Sequence, residues 1–236
     1  MPLRLLAIET ATRACSIAAC DENGIMGEFT LTVPHIHAER LMPMINEMTS
    51  SLGLEIGQFD AVAVSNGPGS FTGLRIGLSV AKGIAFATDM KIIAVPTLDS
   101  LAYRYRNLRR DGKIVSLLHA RGNEFYYCSY EFVNSTLGRS GEYMIGEAPE
   151  IAKEIPAGAV FVGEGAAQFR LTEIAKEKFG AGSFIDEPAS AVEVALLGKE
   201  KFYRNEFGDV TTIVPLYIKD FVAVKRNPLN KLLERI

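Results

Sequence analysis

The apolar run Asp60-Ala61-Val62-Ala63-Val64 leads through Ser65-Asn66-Gly67-Pro68-Gly69 straight into a helix-forming stretch that opens Ser70-Phe71-Thr72-Gly73. No other feature constrains the fold as much. A strand without polar alternation reads as buried on both faces, the usual state of a sheet flanked by helices. The glycine-proline turn then aims the first amides of the helix at one spot, an arrangement that favours an anion. Further along, Gly73, Gly77 and Ala81 fall on one side of the helix, which runs to about Thr88. They let another backbone come close, although each helical glycine costs about 1 kcal/mol relative to alanine.

The flanking segments extend this junction into a unit. Arg4 to Glu9, Ala14 to Cys20 and Ile25 to Thr32, separated by Thr10-Ala11-Thr12 and Asp21-Glu22-Asn23-Gly24, predict a three-stranded antiparallel meander. His37 to Leu52 carries Leu41, Met44, Ile45 and Met48 at helical spacing and ends at Gly53. It predicts an amphipathic helix that Pro43 kinks or that completes its first turn there. A strand at 92–95 closes a β-β-β-α-β-α-β lobe.

The same order returns in shortened form. Lys113 to Leu118, Glu124 to Val133, Ala159 to Val162 and Ser183 to Asp186 read as strands, with a helix from about Ala166 to Phe179. Ser190 and Glu193 form a capping-box pattern opening a helix towards Asn205. Two hairpin-led α/β units predict a duplicated actin-like ATPase (ASKHA) fold, two lobes each with a mixed β-sheet and flanking helices. The boundaries read 1–107, 108–214, and a tail at 215–236 that packs back on the first lobe.

Bulk properties exclude some classes. With 236 residues, 48% hydrophobic and a net charge of −3, the chain has the makings of a sizeable core and no overall attraction for nucleic acid. The local cluster Arg104, Arg106, Arg109, Arg110 is either a solvated helix end or an RNA contact. Cys15, Cys20 and Cys128 lack metal-ligand spacing and read as reduced small hydrophobes of a cytoplasmic protein. No apolar run reaches the roughly 18 residues of a membrane span.

Five blocks carry a specific resemblance: Ala7-Ile8-Glu9-Thr10-Ala11-Thr12, His37-Ala38-Glu39-Arg40-Leu41-Met42-Pro43, the long run from Gly67 to Gly77, Ala81-Lys82-Gly83, and Pro215-Leu216-Tyr217-Ile218. In order and spacing they resemble the TsaB (YeaZ) family, densely over 4–103 and sparsely beyond. The resemblance implies a non-catalytic subunit that pairs with a TsaD-like paralogue and a TsaE-like ATPase. Together these transfer a threonylcarbamoyl group to the tRNA adenosine beside the anticodon. It implies no cofactor on this chain, with ATP and metal held by the partner subunits, a homodimer when alone, and tRNA contact only through the complex. TsaD-like chains carry two metal-binding histidines, four residues apart, where this sequence has Thr97 and Leu101; leucine cannot ligate a metal.

Other candidates carry competing explanations. His37 suits a polar contact at a helix start better than a metal. Glu9 and Glu124 are the strand-end carboxylates that an acid/base pair would need, turn hydrogen bonding being the alternative. His119 sits in the second hairpin turn, where most TsaB-like chains are acidic. Thr10, Thr12, Gly67, Gly69, Ser70 and Thr72 are candidates for a vestigial phosphate loop, with Ser70 as N-cap; the Gly-Lys-Ser/Thr ending of a P-loop is missing. No catalytic residue is assigned. Met44, Met48, Gly73, Gly77 and Ala81 form the candidate partner interface, packing on the sheet being the alternative. An actin-like kinase or ATPase, and less favourably a metalloprotease, remain the competing function classes.

Overall fold

The computed structural model describes residues 3–107, 112–133 and 136–218. In the first lobe, strands β1 (Arg4–Glu9), β2 (Cys15–Asp21) and β3 (Ile25–Leu31) form the meander. Helix α1 (His37–Ser51) follows, then β4 (Ala61–Gly67), α2 (Phe71–Thr88) and β5 (Lys91–Pro96). The sheet order is β3-β2-β1-β4-β5, antiparallel through the meander and parallel from β1 onward. Helix α1 runs through Pro43 without interruption, and Gly53 takes the positive φ of +65° that ends it.

A seven-residue helix, α3 (Thr97–Tyr103), leads to the second lobe. Its strands are β6 (Lys113–His119), β7 (Glu124–Val133), β8 (Thr136–Arg139), β9 (Met144–Glu147), β10 (Val160–Val162) and β11 (Phe184–Ile185). Its helices are α4 (Ala148–Glu154), α5 (Ala166–Arg170) and α6 (Glu173–Lys178). Read as β8-β7-β6-β10-β11, the second sheet repeats the first strand for strand, with antiparallel pairs on one side of β6 and parallel pairs on the other. The extra strand β9 pairs with the start of β7. The duplicated actin-like α/β fold is therefore written in topology, without visible likeness between the two half-sequences.

Strand periodicity explains how the first sheet is covered. Leu6, Ile8, Ile17, Val62, Val64 and Ile92 face α1 and α2, while the smaller Ala7, Ala18, Ala61 and Ala63 join Leu5 and Ile93 on the opposite face. That second face receives α7 (Ala191–Tyr203), the last helix described. The alanines let it approach so closely that a Cβ on Gly198 would sit 2.6 Å from that of Ala63. The second lobe is filled differently, by Phe125, Phe161, Phe169, Phe179 and Phe184 packed edge-on, tilted or stacked.

Several expectations change here. Helix α7 lies in sequence within the expected second lobe, 108–214, yet packs on the first. The helix expected from 166 to 179 breaks at Leu171, because the Thr172 hydroxyl accepts from the Ala175 amide and starts α6. The Ser190–Glu193 capping box does not form: Ser190 Oγ accepts from the Val192 amide and donates to Glu28, while Glu193 pairs with Arg104 at 3.1 Å. Arg104 also meets Glu187 at 2.8 Å, and Arg106 lies over the Tyr103 ring. Two members of the arginine cluster are thus engaged within the chain; Arg109 and Arg110 lie outside the described residues. Of the tail, residues 215–218 are described: the Leu216 amide donates to the Asn66 carbonyl at 2.7 Å, and Tyr217 faces Phe71. Among the described residues no helix is long and apolar enough to cross a membrane.

Candidate functional site

The lobes face each other across a cleft of about 720 Å³. One wall is the β1–β2 turn with the start of α2; the other brings His119 from the end of β6 and Glu164 from the Gly163-Glu164-Gly165 turn. Arg13, His35 and His37 also line it, and Glu164 is its one acidic lining residue among those described.

The turn is held from several sides. Thr10 Oγ1 donates to the Gly73 carbonyl at 2.8 Å, and a Cβ on Gly73 would collide with the Thr10 carbonyl oxygen. A Cβ on Gly77 would meet Thr10 Oγ1. The close approach that these glycines permit is therefore made to β1 of the same chain. Met44, Met48 and Ala81 are likewise buried in the first lobe's core. All five residues of the candidate interface are buried within the chain, in line with the alternative of packing on the sheet: helical spacing shows that a stripe is buried, not what buries it.

Ser70 is the N-cap of α2, its hydroxyl accepting from the Gly73 amide at 3.2 Å, and its own amide donates to the Ala11 carbonyl. Gly67 and Gly69 both have positive φ, and the Gly67–Pro68 peptide is cis. Thr12 and Thr72 line the cleft; Thr12 Oγ1 is buried without a partner among the described residues. His37 opens α1 and places Nε2 within 3.2 Å of the Thr12 and Ala14 carbonyls, the polar contact expected of it.

Glu9 ends β1 fully buried. Its Oε1 accepts from the Ala11 amide, as turn bonding predicts. Burial pushes its pKa up to about 7, opposed only in part by the nearby Ser65 hydroxyl and the Ala11 amide. Glu124 sits on the opposite lobe, where its backbone closes the β6–β7 turn through Ala120 and Arg121. His119 closes the same turn by hydrogen bonding to the Gly122 carbonyl at 2.9 Å and sets its ring edge-on to Phe125.

Sequence reasoning gave Glu164 no role. Its carboxylate crosses the cleft and accepts from the Arg13 amide at 2.9 and 3.2 Å, with the guanidinium 3.3 Å away. Arg13 also meets Asp186 at 3.5 Å. Burial raises the Glu164 pKa against the pull of Arg13. The signal available was the Gly-Glu-Gly turn, which echoes the first glycine turn but gives no hint of its partner 151 residues away.

Thr97 and Leu101 share one face of α3 and are buried, Leu101 against Gly163. Asp99, in the first turn of the same helix, accepts from Tyr130 and Tyr143 at 2.7 and 2.8 Å, so α3 is bolted to the second sheet. Among the described residues, no three His, Cys, Asp or Glu side chains gather at metal-ligand spacing. The three cysteines are free and buried, each thiol pushed up to about 11 by burial.

Comparison with known proteins adds a family. The sequence profile described as "TsaD: tRNA N6-adenosine threonylcarbamoyltransferase" matches residues 32–225. The chain is 32% identical over 152 residues to the tRNA threonylcarbamoyladenosine biosynthesis protein TsaB of Escherichia coli, a match covering 64% of this chain and 65% of that one. With the protein of the same name from Haemophilus influenzae it shares 38% over 125 residues, covering 53% and 52%. The matched region thus spans between about half and two thirds of these relatives' lengths. The solved structure of YeaZ from Pseudomonas aeruginosa superposes with a TM-score of 0.78 at 26% identity, covering 92% of this chain and all of the other.

Proposed function

The chain belongs to the TsaD family, within its TsaB/YeaZ branch, and on that premise we propose that it is a non-catalytic subunit in the synthesis of tRNA threonylcarbamoyladenosine. It works by binding a TsaD-like partner, with a TsaE-like ATPase joining the pair, and the same surface serves a homodimer when the partner is absent. ATP, metal and tRNA are engaged through those partners.

The observation that carries this reading is the self-occupied turn between β1 and β2. The groups that a reactive cleft would turn towards a substrate are here spent on Glu9, Glu164, α2 and His37. What remains for function is an outer surface. On α2, the face opposite Gly73 and Gly77 carries Phe86, 83% exposed, and Gly83, where a Cβ would meet nothing within 4 Å. Met42 of the adjacent α1 is also exposed. A large aromatic beside a bare glycine suits the apposition of a second helix. We therefore infer a partner surface at Phe86 and Gly83, with Met42 on the adjacent helix.

The test is reconstitution with the cognate TsaD-like and TsaE-like proteins and unmodified tRNA, reading modified adenosine by nucleoside mass spectrometry. Modification is expected only when this chain is present, and Phe86→Asp, folded by circular dichroism, is expected to reduce it at least tenfold along with co-elution of the partner. Full modification without this chain would overturn the role. Unchanged partner binding by Phe86→Asp and by Gly83→Arg would overturn the surface.

A further inference from the structure

The turn between β2 and β3 sets one carboxylate against two nitrogens that can exchange a bond to the same carbon. Asp21 ends β2, and its Oδ1 accepts from the amides of Asn23 and Gly24 at 2.7 and 3.1 Å. An aspartate bonded to main-chain amides just ahead of it is ordinary turn chemistry. Its second oxygen does something more: Oδ2 lies 3.5 Å from Nδ2, the side-chain nitrogen of Asn23.

The surroundings hold one arm of this turn and leave the other open. Lys199 of α7 donates to the Asp21 and Glu22 carbonyls, both at 2.8 Å, and so anchors the arm leaving β2. Asn23 is exposed, and a Cβ on Gly24 would meet nothing within 4 Å. With a φ of +139° and no side chain, Gly24 leaves its nitrogen sterically free to swing towards the Asn23 side chain. The other Asn-Gly pair of the sequence, Asn66-Gly67, is enclosed instead. There the Asn66 carbonyl accepts from the Leu216 amide, and a Cβ on Gly67 would meet the Leu216 carbonyl oxygen at 2.9 Å. Asn66 Oδ1 is buried without a partner among the described residues.

We propose that Asn23 is a site of self-modification, at which Asp21 promotes closure of a cyclic imide with Gly24. The Gly24 nitrogen attacks Cγ of Asn23 and gives its proton to Asp21 Oδ1, which lies within the reach of a general base. As the new N–Cγ bond forms, the Cγ–Nδ2 bond breaks. The carboxyl returns the proton to Nδ2, which departs as ammonia. Water then opens the imide at one carbonyl or the other, giving aspartate or isoaspartate. Either product adds a negative charge beside Asp21 and Glu22, and isoaspartate also lengthens the main chain at the turn that Lys199 holds. The inference goes beyond the proposed assembly and is independent of it.

Peptide mapping by mass spectrometry tests it, on the full chain incubated at neutral pH, with Asn66 read from the same digests. Asn23 is expected to convert at least tenfold faster than Asn66 and to yield isoaspartate together with aspartate. Asp21→Asn keeps an oxygen acceptor for the turn but removes the base, and is expected to slow Asn23 at least threefold while Asn66 is unchanged. A carboxylate that merely braced the turn would give the opposite result, because loosening the turn frees the Gly24 nitrogen. Conversion of Asn23 no faster than that of Asn66, or to aspartate alone, would overturn the site; equal or faster conversion in Asp21→Asn would overturn the part given to Asp21.

Discussion

The two lobes share a strand order but differ in what they do with it. In the first, apolar strands are sandwiched between long helices, α1 and α2 on one face and α7 on the other. In the second, five phenylalanines fill the space behind the sheet and the helices are five to seven residues long. The turns differ in the same sense. The first is threaded with hydrogen bonds to α2, His37, Glu9 and Glu164, those to α2 and Glu9 buried, while the second is closed locally by His119 and its own backbone. Topology alone therefore does not carry a site; the first turn is specialised because long-range partners converge on it.

The largest test of this contrast is Phe161→Ala, which removes the ring in contact with Phe169, Phe179 and Phe184. A loss of ~4 kcal/mol in urea unfolding is expected, with amide exchange accelerated more in β6, β7 and β10 than in β1 and β4. Equal acceleration in both sheets would mean that the lobes unfold as one unit and would break the comparison.

Glu9 gives a smaller effect, confined to the first turn. Its folded pKa of about 7 lies above the ordinary 4.5, so the folded chain holds a proton that the unfolded chain releases earlier. The resulting stabilisation is fully present below pH 4.5 and is lost as pH rises through 7, a change of about 3 kcal/mol. Glu9→Gln should remove that share of the pH dependence, leaving the variant more stable than wild type at pH 8 and the two closer at pH 5. Parallel stability curves for the two proteins would show that the buried carboxyl is ionised throughout.

Helix capping sharpens the contrast at its low end. Ser70 caps an 18-residue helix and Thr172 a six-residue one. Ser70→Ala should cost about 1 kcal/mol and Thr172→Ala less than half of that by thermal unfolding, because so short a helix leans on the phenylalanine cluster. Equal losses would argue that the second lobe's helices are as cooperative as the first's.

What the sequence reveals follows the range of the forces involved. The strands of both lobes are legible because their apolar runs are local, and Ser70, His37 and Gly53 are legible because caps and turns are settled by near neighbours. Helix α3 is missed because it is short and follows Pro96 directly. Strands β8 and β9 are missed because they are largely exposed, with no apolar run to mark them. The inward turn of Met44, Met48 and Gly77, the reach of Glu164 and the docking of α7 all depend on partners remote in sequence, and periodicity carries no information about which partner a face will find.

That docking also has a consequence during synthesis. The face of the first sheet lined by Ala7, Ala18, Ala61 and Ala63 is completed only by residues 191–203, so a nascent chain carries it uncovered until that helix has left the ribosome. Because domains fold as units while they emerge, the first lobe, although made before the second sheet, closes only after that sheet's strands have appeared. A chain halted before α7 would present an apolar sheet face to whatever quality-control factors meet it.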